Sequence, residues 1–514
     1  MKFNKFLLLL LTVVFTTINF SCKKILDVQP NSAAAEQNNW KNYEDAKGSL
    51  IGIYTLMRTA MVADNTHWLM GDLRQGDFTS TNRSDLKAII DGQLNASYPV
   101  IERVSNWKRF YAVINAASLF IERSREIVAN DPRYTPVNNQ VDVAQARALR
   151  AFAYFYMVRI WGDVPLLTTS HDGEFDAHLR TPKDKVLAFA TSELLLAIKV
   201  LPFRYGGTDP ILPGLYYGNG WATWNGVLFT KLSAYAILAH IAAWQSNYLD
   251  CEVYTKYFMD NITSLNGDGS FGVKYISVDE LTEDVNAYSP FAFKRAVQIV
   301  GFGFEYGNGE ATANGHIEQL TLAAPLILKA NPEIYVPKDT IRKSFTDLND
   351  LRFSIDPLTK LYRKNYFTNY SSEQPIFSKI KCITDAQTSG NFALFTSAVL
   401  FTRYEEVTLL RAEALAVLGQ RDEAIATLNR ASSLRGITPF QSTSSADVIN
   451  AIFAERRREL MGEGWRWYDL VRLNRIKKNN PAFNALLSND GIYWPVSKDI
   501  LSADPSIKQN PYWN

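Results

Sequence analysis

Residues 453–475, FAERRRELMGEGWRWYDLVRLNR, decide how this chain is read. Ile449, Ile452, Phe453 and Leu460 recur at helical spacing on one face, so the stretch is entered as a helix. Gly462 and Gly464 stop that helix, because glycine accepts backbone angles that side chains resist. A second helix follows, with Trp465, Tyr468, Leu470, Val471 and Leu473 as its apolar positions. Between them stand Arg456, Arg466 and Arg472 beside Glu459, Glu463 and Asp469. Arginine's planar fork holds a carboxylate at two points and also stacks on a ring. Paired charge this dense beside tryptophans predicts an ion-pair network inside a packed helix corner. The role is structural, since a helix that binds nucleic acid would lack the matching acids.

Just upstream, residues 409–431 read LLRAEALAVLGQRDEAIATLNRA. Ala412, Ala414, Gly419 and Ala424 let two helices approach closely, and Leu409, Leu410, Leu415, Leu418, Ile425 and Leu428 fill between them. This is tetratricopeptide-like packing, without a clean repeat along the chain. Further back, residues 147–167, RALRAFAYFYMVRIWGDVPLL, are apolar nearly all round up to Gly162, so a helix over 141–161 is buried. Other helices are expected over 43–61, 100–129, 182–201, 225–244 and 250–265. The fold class is mostly α, with helix pairs, long loop-rich insertions and little β. Pro/Ser-rich linkers and low-complexity tracts are absent from the sequence, which favours one large body.

Residues 1–21 carry a basic start at Lys2 and Lys5 and an apolar run that is short for a bilayer span, as a secretory signal does. Ser21-Cys22 follows, which predicts lipoprotein cleavage and acylation of Cys22. The protein is therefore expected to be exported and held to a membrane by lipid alone. Removing residues 1–21 takes two lysines and no acids from the 54 basic and 52 acidic residues, leaving 52 of each. Neutral balance argues against nucleic acid as a partner. Once Cys22 is acylated only Cys251 and Cys382 remain, too few for a disulfide framework.

Catalytic motifs fail one by one: there is no Walker loop, no HExxH and no GxSxG, and the five histidines are scattered. Two histidines and three acids crowd residues 171–178, but no second ligand pair sits at helical spacing, so this is read as a polar loop. Residues 266–270 hint at a calcium loop, yet Ser277 stands where its bidentate acid belongs. No cofactor or metal is assigned. Between 267 and 397 the helical signal fades into short apolar runs punctuated by Gly, Asn and Pro, with a strand near 396–402. The chain holds 11 Trp, 25 Tyr and 29 Phe, many of them in loops, where rings stack on sugar faces and flanking Asn, Asp and Arg bond hydroxyls.

The corner sequence ERRRELMGEGWRWYDLVR resembles the C-terminal signature of the SusD/RagB family of surface nutrient-binding lipoproteins. Residues 147–167, the Leu26-Asp27 to Pro30 tether, Trp494-Pro495 and Gln509-Asn510-Pro511-Tyr512 resemble that family too. Val496, Ser497 and Trp513 depart from its endings. The resemblance implies residues 22–235 as an N-terminal helical region and 236–514 as a C-terminal region, with the insertion at 267–397 and helix pairs at 403–477. It implies four tetratricopeptide-like pairs, no enzymatic activity, an outer-membrane location facing the exterior, and a SusC/RagA-like TonB-dependent transporter as partner. The implied ligand is an oligosaccharide, or a peptide as in RagB-type members; a protein-binding scaffold is the remaining alternative. Specificity is expected in loops leaving the frame, at 64–97 and 267–397. In the first, Trp68, Asp72, Arg74 and Asn82 are the candidate ligand contacts; in the second, Tyr288, Phe304 and Tyr306, which sit among Gly and Asn.

Overall fold

The computed structural model describes residues 40–171, 178–266, 272–283, 288–385 and 393–514. The expected signal, Cys22 and its tether lie outside them, as do most of the polar loop at 171–178 and of the calcium-like loop at 266–270. Helix α1, Tyr43–Val62, opens on a capping box between Asn42 and Asp45. Helix α2 is Lys108–Arg123. It is shorter than the helix expected over 100–129, which breaks into three pieces. The first break has a local cause: the Asn106 side chain accepts from the Lys108 N–H at 3.0 Å and restarts the chain.

Helix α3, Pro136–Trp161, begins earlier than its apolar run because Thr135 and Asn138 form a capping box with Pro136 in the first turn. It ends on Gly162, at φ 72°. Its residues from Ala148 to Trp161 are all buried. Then come α4 (Lys183–Ala197), α5 (Lys231–Trp244), α6 (Tyr248–Asp260), α7 (Tyr404–Val417), α8 (Arg421–Ala431), α9 (Ser445–Glu459) and α10 (Arg466–Lys477). Neighbours in sequence pack as neighbours in space, α1 on α2, α2 on α3, α3 on α4, α5 on α6, α6 on α7 and α7 on α8. Helix pairing is therefore the frame. Among the described residues the region from 272 to 402 adds three antiparallel strand pairs: β1 (Val300–Phe302) with β6 (Val399–Thr402), β2 (Phe367–Thr368) with β3 (Ile376–Phe377), and β4 (Ile383–Asp385) with β5 (Leu394–Phe395). Cys251 and Cys382 are buried free thiols.

The corner after α9 holds the expected network, with a different centre. Glu459 receives Arg435 at 2.7 Å, Arg403 at 2.8 Å and Arg352 at 3.1 Å. Glu463 receives Arg403 at 2.9 Å and Lys379. Arg456 holds Glu406 at 2.9 Å and Asp469 at 3.0 Å, and Arg472 joins Asp469 to Glu413 at 2.8 Å each. All of these side chains are buried. Burial alone would raise the carboxyl of Glu459, but Arg435 and Arg403 hold it well below the ordinary range. Arg466 does not pair with Asp469. It reaches Asp77 at 3.6 Å from the network's edge.

Candidate functional site: an aromatic loop face on the helical frame

Of the seven candidate ligand contacts, four are packing residues. The stretch after α1 is not the polar loop its composition suggests. Asp64 and Asn65 turn the chain in left-handed geometry, a helical turn runs over Thr66–Trp68 and a wider one over Leu69–Leu73. Trp68 is 2% exposed, and its Nε1 donates to the Gly462 carbonyl at 3.1 Å. Asp72 accepts from the Gly464 N–H at 2.6 Å, and burial pushes its carboxyl up to about 7. Arg74 donates to the Ile492 carbonyl at 2.7 Å and lies 4.0 Å over the Trp467 ring. Trp68 and Asp72 therefore clamp the Gly462–Gly464 corner, Arg74 ties the Gly491–Ile492 backbone to Trp467, and no surface is left on the three for a ligand. Phe304 is buried too, beneath the Arg58 guanidinium at 4.5 Å and edge-on to His316. Asn82 is exposed on the short turn before the Ser84–Ile90 helix. Tyr288 and Tyr306 are 65% and 62% exposed, the state expected of rings that meet a ligand.

Tyr306 stands on a built platform. Arg58, from α1, pairs with both oxygens of Glu310 at 2.6 and 2.9 Å and donates to the Gly303 carbonyl at 2.6 Å. Glu310 in turn accepts from the Glu305 N–H at 2.8 Å. Burial would raise the Glu310 carboxyl; Arg58 brings it below the ordinary value. Both ends of the Tyr306–Asn308 turn are thus tied to the frame, and Gly309 closes it at φ 71°. Asn308 donates to Glu305 at 2.9 Å, while Lys294 lies 4.0 Å from Glu305 and 4.9 Å over the Phe293 ring. Tyr306, Asn308, Glu305 and Lys294 thereby place a ring, an amide and both signs of charge together.

A second loop joins this face. Gly226 lies so close to residue 295 that a Cβ there would stand 2.1 Å from the Arg295 carbonyl oxygen. This contact brings in residues 203–230, which carry the half-buried Trp221 over Gly207. That loop is anchored from within. The buried Asp142 of α3 accepts from Tyr217 at 2.6 Å, Tyr134 at 2.9 Å and Tyr216. Phe293, Lys294 and Glu305 were missed in the sequence, because none of them has a Gly or Asn directly beside it, as Tyr306 does.

Under the face, Ser397 donates to Glu318 at 2.7 Å and lies 3.0 Å from His316 Nδ1. His316, Glu318 and Ser397 are at most 1% exposed and bond one another, so the hydroxyl of this serine is already engaged. Burial drives His316 down to about 4, leaving it neutral. The trio fixes the loop end beside Thr312, which bonds His316 Nε2 at 3.1 Å. Among the described residues no group of three His, Cys, Asp or Glu could hold a metal ion. The arrangement suits stacking and hydrogen bonding.

Residues 368–513 match the model of the SusD family. The chain is 27% identical to SusD-like protein P38 of Formosa agariphila, over 99% of this chain and all of that one. SusD-like protein P2 of the same organism is 24% identical, over 93% of this chain and 91% of its own length. The fold matches the crystal structure of a SusD superfamily protein from Bacteroides thetaiotaomicron at a TM-score of 0.84, covering 93% of this chain and 100% of that chain. That match carries 46% sequence identity, and identity at this level over a complete solved chain shows that this chain belongs to the SusD/RagB family.

Proposed function

We propose that the protein is a surface substrate-binding lipoprotein that captures oligosaccharides at the Tyr306 face and passes them to a SusC-like TonB-dependent transporter in the outer membrane. The observation that carries this reading is an exposed tyrosine on a turn clamped to α1 by Arg58 and Glu310, with Asn308, Glu305 and Lys294 around it. A ring presented rigidly loses little freedom when a sugar stacks on it. Flanking amide and carboxylate groups then select hydroxyl positions. Among the described residues no helix is long and apolar enough to cross a membrane, which agrees with anchoring through an acylated Cys22.

Two measurements test this. Retention on an array of immobilised oligosaccharides should be seen for the wild type, and Tyr306→Ala should weaken it about 5-fold, the equivalent of about 1 kcal/mol of stacking. The melting temperature should not move. Binding to peptides and to no sugar would replace the glycan with a peptide ligand. Separately, Cys22→Ala should shift the protein from the membrane fraction to the soluble one; a variant that stays with the membrane rejects the lipid anchor.

A further inference from the structure

A second groove lies between residues 94–105 and the C-terminal tail, and none of the residues named at the Tyr306 face lines it. Its volume of about 440 Å³ falls within the range of small-molecule sites. One wall is Tyr98, Glu102 and Ser105; the other is Val496, Lys498 and Trp513.

The tail wall is rigid. Gln509 bonds Val496 in both directions, accepting from its N–H at 2.7 Å and donating to its carbonyl at 2.8 Å. Asn510 donates to the Trp494 carbonyl and accepts from Arg180. Trp513 Nε1 donates to the Tyr493 carbonyl at 2.9 Å, which fixes the indole by its polar edge. The ring stays partly exposed, with a face available to the groove.

The opposite wall contains the second observation. Ser105 is 1% exposed, lines the groove, and its hydroxyl has no hydrogen-bond partner among the described residues. Its carbonyl is already engaged by the Ser497 N–H. An unpaired buried hydroxyl is unfavourable until a donor or acceptor arrives with a ligand. Beside it, Glu102 uses Oε1 to accept from the Asp499 N–H at 3.2 Å. Lys498 is exposed on the other wall. Opposite charges at the two walls disfavour a polyanion. A rigid indole, a tyrosine ring, an unpaired hydroxyl and a carboxylate instead match the alternating apolar face and hydroxyl edge of a pyranose.

We propose that this groove is a second carbohydrate site, which stacks one sugar ring on Trp513 and takes its hydroxyls on Ser105 and Glu102. The proposal rests on the reading of the protein as a glycan binder. Two sites on one rigid body would let a long glycan bind at both, so that each contributes to retention.

The test uses the full-length mature protein on an array of immobilised neutral hexasaccharides built of glucose, xylose, mannose or galactose units. Wild type, Tyr306→Ala, Trp513→Ala and Glu102→Gln are compared. Trp513→Ala and Glu102→Gln should each reduce affinity for a retained sugar about 5-fold or more with an unchanged melting temperature. Glu102→Gln decides the matter if Trp513→Ala proves unstable, since Glu102 lies on the opposite wall. If Tyr306→Ala weakens binding while both groove variants match the wild type, the second site is overturned and the glycan reading stands. If the wild type retains none of these sugars, both fall.

Discussion

Glu459 takes three arginines inside the protein, and that convergence separates it from the other carboxylates near the corner. Replacing it by glutamine keeps the shape and removes the charge that Arg352, Arg403 and Arg435 share. Breaking a buried pair leaves an uncompensated ion, which costs about 3–5 kcal/mol. Glu459→Gln should lower stability by that amount in urea titration. Arg466→Ala should cost less than about 1 kcal/mol, because the acid it pairs with, Asp77, lies 3.6 Å away at the network's edge. Equal losses in the two variants would reject this ranking. The network itself was legible in the sequence, since Arg456, Glu459, Glu463, Asp469 and Arg472 sit within one short stretch around a single helix corner. Its centre was not. Arg403 and Arg352 reach Glu459 from 56 and 107 residues away, and no local pattern marks such partners.

At the scale of elements, the same distance effect explains the misreading of the 64–97 stretch. Its composition is that of an exposed loop, with Asp, Asn, Arg, Ser and Thr throughout. Yet Asp72 and Arg74 find backbone partners 392 and 418 residues further along, so burial leaves them satisfied. Helix α3 was legible because its apolar run is a local signal, although its Thr-Pro start, just as local, was not read and the helix was expected only from residue 141. Tyr306 was legible as an exposed ring for the same reason, whereas the Arg58 clamp beneath it crosses 252 residues to Glu310. The close approach of the 66–73 turns to the corner gives a prediction. A Cβ on Gly71 would stand 2.1 Å from the Gly464 carbonyl oxygen, and both partners are backbone. Neither side can rotate away, so Gly71→Ala must separate two elements that Trp68 and Asp72 hold together. Overpacking of this kind costs about 1–3 kcal/mol. Thermal unfolding should show that loss, and an unchanged midpoint would mean that the corner is loosely packed.

Over the whole molecule, buried ionisable groups set how stability responds to pH. Burial drives His67 down to about 3 and His316 to about 4, and lowers His240 as well. Their folded values lie below the ordinary 6.5, so the unfolded chain binds these protons first and stability falls as pH drops below that point. Burial has the opposite consequence for Asp72, Asp142 and Glu318, each raised to about 7. There the folded chain keeps the proton longer, so stability falls as pH rises from about 4 toward 7. The two sets oppose each other across the same window. Acids of the ion-pair network act lower down. Burial would raise Glu455, but Arg352 and Arg458 bring it down to about 2, and Glu459 is held well below its ordinary value in the same sense. Their contribution is present above the ordinary 4.5 and is lost as pH falls through the folded values. The urea midpoint should therefore stay nearly level between about pH 5 and 7 and drop steeply below about 4.5. Asp142→Asn removes one of the three groups that favour the acid side. In that variant the level stretch should tilt, with stability rising toward pH 7. A wild type that loses stability steadily from pH 7 downward would show that the raised carboxylates do not offset the histidines, and a level stretch unchanged by Asp142→Asn would remove Asp142 from that balance.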